Sequence, residues 1–144
     1  MPVGTISLEG ARELIAKLER FTPDVSKRIM TQALRRAAEP ILAQARSNAP
    51  GTRIKRSLKI RAGKSSSKGV SVLVTTRAGD FKGHEFFAGF LEYGTKERVQ
   101  KKAKRRTGKV AARHFMKEAF ESRKGEAEAL IADELRAGIL AELA

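Results

Sequence analysis

Cysteine and tryptophan are absent from the 144-residue chain, and histidine occurs only twice. Without cysteine there is no disulfide framework, no thiol nucleophile and no cysteine-based zinc site, and the redox compartment leaves no trace. Acidic residues are scarce beside basic ones: sixteen Asp and Glu stand against thirty Lys and Arg, a net of +14. Such an excess points to polyanions or acidic protein surfaces as neighbours, without choosing between them. No apolar run approaches the ~18 residues of a membrane span, which speaks against a membrane protein. The opening Met-Pro-Val-Gly-Thr has neither the basic region nor the apolar stretch of a signal peptide, so the expected setting is the cytosol.

What is present suffices for a folded core. Hydrophobic residues make up 41% of the chain, and its length suits one domain. The expected organisation is a single domain over 1–144 with a basic loop or arm at 96–113. Charge is distributed unevenly: residues 51–113 hold eighteen Lys and Arg against four Asp and Glu, whereas the two flanking segments together hold twelve of each. The entire excess therefore sits in the middle, which is also where helical periodicity stops.

Apolar spacing places a helix over 9–21, where Leu14, Ile15, Leu18 and Phe21 form a stripe, after an apolar lead of Val3, Ile6 and Leu8. Thr22-Pro23-Asp24 reads as a second helix start, with a hydroxyl cap, proline at the first position and an acid in the first turn. From there Ile29, Ala33, Ala37, Ile41 and Ala45 recur every four residues, interrupted by Pro40, where a kink rather than a stop is expected. Asn48-Ala49-Pro50-Gly51 ends that helix. Alternating apolar residues then predict strands over 55–62 and 69–77, joined as an antiparallel hairpin by the polar loop Gly63 to Gly69. The aromatic segment 86–93 fits a strand or a short helix equally. A last helix is expected from about His114 to Leu143, with a bend or break at Gly125.

Chemistry-bearing motifs are few. His84 and His114 lie thirty positions apart, outside any metal-ligand spacing. Ser65-Ser66-Ser67 has no nucleophile elbow and no neighbouring base, and Gly63-Lys64 and Gly108-Lys109 lack the cradle and helix of a phosphate loop. Glu92, between Leu91 and Tyr93, is the carboxylate that stands out. Buried alone it would be costly, so a salt bridge to a lysine or arginine, within or between subunits, is expected. One carboxylate without a second acid or a metal makes no acid–base machine. An enzyme is not expected, nor a cofactor.

The basic run is the other sharp feature. Lys101, Lys102, Lys104, Arg105 and Arg106 fall within six positions and no apolar stripe folds them inward. The expectation is a mobile arm that orders against DNA or an acidic patch of a neighbouring protein. No zinc finger, KH loop or RNP aromatic pair accompanies it, so any nucleic-acid contact should be non-specific.

Several blocks resemble one family in order along the chain. Gly10 is followed by a Leu-bearing helix. Then come Ala37-Ala38-Glu39-Pro40-Ile41 through Ala49-Pro50, Ser57-Leu58, Phe90-Leu91-Glu92-Tyr93-Gly94-Thr95, and Ala112-Arg113-His114-Phe115-Met116 through Phe120. Together they resemble the gene-product-ten-like tail-component family of long-tailed, lambdoid-type bacteriophages. Two departures are visible: Gly51-Thr52 stands where the family has Thr-Gly, and nineteen residues, including the basic run, separate Thr95 from Phe115. The resemblance implies a structural virion protein at the neck or upper tail, forming a ring between head connector and tail tube. It implies six copies by analogy with tail symmetry, or twelve nearer the portal. It brings no catalytic residue; Pro40, Glu92, Gly94 and Phe115 are the structural positions within the blocks.

The fold expected from all this is α+β, a small antiparallel sheet packed with a kinked second helix and a long C-terminal helix. The function expected is a neck, tail-completion or tail-terminator protein of a tailed bacteriophage. A non-specific nucleic-acid-binding protein, for which the same charge is natural, is the alternative.

Overall fold

A computed structural model describes residues 12–64, 69–76, 87–96, 98–100, 102 and 104–143. The described elements are α1 (Arg12–Leu18), α2 (Pro23–Asn48), α3 (Thr52–Ser57), β1 (Lys59–Ala62), β2 (Val72–Thr75), α4 (Phe87–Tyr93), β3 (Arg98–Gln100), β4 (Arg105–Gly108) and α5 (Phe115–Leu143). This is the α+β architecture expected, with a long C-terminal helix and a small antiparallel sheet. The lead at 3–8, Gly10, the serines at 65–67 and His84 lie outside the described residues.

α2 begins as its sequence dictates. Thr22 is the N-cap, its Oγ1 accepting from the Val25 N–H at 3.4 Å, with Pro23 following at the start of the helix. The Ser26 hydroxyl donates to the Leu18 carbonyl at 2.6 Å, fastening the end of α1 to the first turn of α2. The helix continues through Pro40 to Asn48, so the proline does not stop it.

α5 runs antiparallel to α2, and this pairing is the most extensive among the described elements. The direction follows from the polar contacts along it: Arg28 meets Glu142 at 2.7 Å, Arg36 meets Glu134 at 4.0 Å, Arg123 Nε donates to Gln44 Oε1 at 3.2 Å, and Asn48 Nδ2 donates to the Phe115 carbonyl at 3.4 Å. Between the helices lies a core built on four-residue spacing, Ile29, Ala33, Ala37 and Ile41 facing Ala127, Ile131, Leu135 and Ile139, with Leu14 and Leu18 of α1 joining it. Small residues let the backbones come close. At Gly138 an added Cβ would lie 2.8 Å from Ile29 Cγ2. No break occurs at Gly125, where the helix is continuous.

A second core gathers Ala45, Ile54, Leu58, Ala88, Phe115, Met116 and Ala119, and Val74 of β2 packs against both cores. β1 and β2 pair antiparallel, Lys59 opposite Thr75 and Ala62 opposite Val72, and both lie against α2. One boundary differs from expectation. Residues 52–57, assigned partly to a strand over 55–62, form α3 instead. Ile54 and Leu58, four apart, are both buried, so the helical spacing prevails over the alternation of Leu58, Ile60 and Ala62, and the strand begins only at Lys59. The aromatic segment, compatible with either type, is helical from Phe87 to Tyr93 as α4.

Candidate functional site

Two of the blocks that carried the resemblance meet in space. After α4 the chain turns at Gly94, whose φ of 75° is left-handed. An added Cβ there would sit 3.0 Å from both the Ala112 nitrogen and the Val110 carbonyl oxygen. Only glycine satisfies both conditions without strain. Around this turn the Thr95 N–H donates to the Val110 carbonyl at 2.9 Å, and the Val110 N–H donates back to Thr95 Oγ1 at 2.9 Å. The Arg113 N–H donates to the Leu91 carbonyl at 2.7 Å and the His114 N–H to the Glu92 carbonyl at 3.3 Å. The two segments thus form one clamp.

Glu92 lies at the centre of the clamp, 1% exposed. Its Oε2 accepts from the Met116 N–H at 2.8 Å and its Oε1 from the Lys117 N–H at 3.0 Å. These amides belong to the first turn of α5, where N–H groups have no partner within the helix and the dipole favours a carboxylate. The expected lysine or arginine partner is therefore corrected: backbone amides occupy both carboxylate oxygens. A signal was available in the sequence, since His114 offers no Ser, Thr, Asp or Asn cap to a helix starting at Phe115 and an acceptor had to come from elsewhere. His114 has φ 47° and its side chain is exposed. Phe115, 1% exposed, anchors the same turn in the second core.

Pro40 stands apart, within α2. Other polar residues of its block act nearer the clamp: Arg46 Nη2 donates to the Leu58 carbonyl at 2.8 Å, and Gln44 Nε2 to Asn48 Oδ1 at 2.9 Å.

From the clamp the chain makes an excursion. Residues expected as a loop or arm over 96–113 include an antiparallel hairpin, β3 with β4, in which Val99 faces Arg106, Gln100 faces Arg105, and a bulge follows Arg98. The pairing rests on backbone hydrogen bonds and on a base pinned at Thr95 and Val110, so apolar periodicity, which is missing there, could not announce it. Neither strand packs extensively on another described element. Lys102, Lys104 and Arg106 are exposed, Lys104 with φ 47°; Arg105 lies in β4, and Lys101 is outside the described residues. The hairpin charges and the clamp residues are thus neighbours along the fold, while Pro40 belongs to the helical layer.

A shallow open groove on α2 is lined by Lys27, Arg28, Thr31, Gln32, Arg35 and Val70; it is basic, and Arg28 is engaged by Glu142. Among the described residues no group of three or more His, Cys, Asp or Glu could hold a metal, and no helix is long and apolar enough to cross a membrane.

Comparison with known protein families places part of the chain. Residues 12–94 fit the HK97-gp10-like family model, described as "Bacteriophage HK97-gp10, putative tail-component". That segment spans α1 to Gly94, so the hairpin, the block at 112–120 and α5 lie beyond it. No curated protein and no solved structure matches the chain. The family model covers more than half of the sequence, and on that ground the protein belongs to the HK97-gp10-like family of bacteriophage tail components.

Proposed function

We propose that the protein is a non-enzymatic structural component of the virion at the head–tail junction, a neck, tail-completion or tail-terminator protein. It closes into a homo-oligomeric ring joining the head connector to the tail tube. Six copies accord with tail symmetry and twelve with a position nearer the portal. It is made in the bacterial host cytoplasm and resides in the neck or upper tail.

The observation that carries this reading, beyond family membership, is the contrast between the ends of α5. The helix has 29 residues, about 43 Å at 1.5 Å per residue. At its start the clamp launches the basic hairpin. Near its end Leu140 and Leu143 are 68% and 67% exposed, outside the segment that holds the basic excess. A ring built from head-to-tail contacts needs two unlike surfaces on each copy, and the two ends supply them. Replacing Leu140 and Leu143 by aspartate tests the reading. The expected result is loss of the oligomer with unchanged helical circular dichroism, whereas an unchanged mass distribution would remove these residues from the ring contact.

A further inference from the structure

We propose that the β3–β4 hairpin is a duplex-DNA contact, a two-stranded ribbon that meets the phosphate backbone without reading sequence. Between Lys96 and Lys109 the chain carries eight Lys and Arg against Glu97 alone, half of the molecule's formal excess in a tenth of its length. Five cations of this stretch, Lys96, Lys102, Lys104, Arg106 and Lys109, are exposed.

Geometry and composition single out the occupant. The hairpin leaves the body at the Thr95–Val110 clamp, and among the described elements it packs extensively on none but itself. A two-stranded ribbon fits the major groove of B-form DNA, whereas the narrow major groove of A-form RNA refuses it. Single-strand binders stack bases on aromatic side chains, and no aromatic residue lies between Lys96 and Lys109. An acidic protein partner fits less well, because protein interfaces are depleted in lysine and depend on aromatic or aliphatic anchors at their centres. Five of these eight cations, Lys96, Arg98, Arg105, Arg106 and Lys109, belong to the strands or to the residues flanking them, which gives the charge the extent of a ribbon. An isolated two-stranded hairpin is marginally stable in water, and neutralising its charges removes a repulsion that opposes it. The contact does not require the ring, so either can fail alone.

The test is binding of the full-length protein to labelled duplex DNA of random sequence over a range of salt. It is compared with a variant in which Lys101, Lys102, Lys104, Arg105 and Arg106 are replaced by alanine. Because each phosphate contact contributes ~0.9 to the slope of log affinity against log salt, the variant should lose about 3 to 4.5 of that slope. A control with Arg20, Lys55, Arg56, Lys59 and Lys64 replaced by alanine removes the same charge elsewhere and should change the slope by less than about 1. If the five-residue variant does not fold, Lys102→Gln with Lys104→Gln should lower the slope by about 2. An unchanged slope, an equal loss in the control, or intact DNA binding with lost capture of an acidic protein partner would each overturn the proposal.

Discussion

Glu92 does at residue scale what a cap normally does from within a helix. It reaches α5 from α4, twenty-four positions earlier, and offers two oxygens to two first-turn amides. Because both amides face a buried carboxylate, removing it leaves donors without acceptors, the most costly way to lose a hydrogen bond. Glu92→Ala should destabilise the fold by about 1.5–3 kcal/mol, the range for hydrogen bonds to charged groups. Glu92→Gln keeps one acceptor but turns an amide donor toward the other N–H, so it should cost about 1–2 kcal/mol. Chemical denaturation midpoints would check both, and a neutral Glu92→Ala would show that the cap is replaceable.

Among the elements, α5 contains its own control experiment. Gly125 is exposed with nothing within 4 Å of an added Cβ, whereas at Gly138 the Cβ would meet Ile29 at 2.8 Å. Gly125→Ala should therefore stabilise by about 1 kcal/mol through helix propensity, while Gly138→Ala should destabilise by about 1–3 kcal/mol through overpacking. Thermal melts of the two variants should move in opposite directions. The same helix illustrates what the sequence disclosed. The four-residue spacing of Ile29 to Ala45, and of Ala127 to Ile139, made the two long helices legible, and Thr22-Pro23 marked where one begins. α3 was hidden because Leu58 belongs to two patterns at once, closing a helical pair with Ile54 and opening the alternation with Ile60. The hairpin was hidden for a different reason, since backbone pairing pinned at its base requires no apolar pattern. Of the site, Glu92 was visible as an unusual residue in an apolar stretch, and Gly94 only as a position within the blocks of the family resemblance. Their partners were not, because the clamp joins segments separated by the whole basic excursion.

The molecule as a whole is a helical pair with a clamped basic hairpin at one end and exposed leucines at the other. Its two cores are linked through Val74, so a single cooperative unfolding transition is expected, with calorimetric and van't Hoff enthalpies in agreement. The proposed ring of a phage neck is a property of several copies of this chain rather than of any one of its residues. A native mass measurement on the purified protein and on necks released from virions tests it most directly. A closed multiple of the chain mass, six or twelve copies, is expected in at least the neck preparation, and a strict monomer in both would rule out the ring.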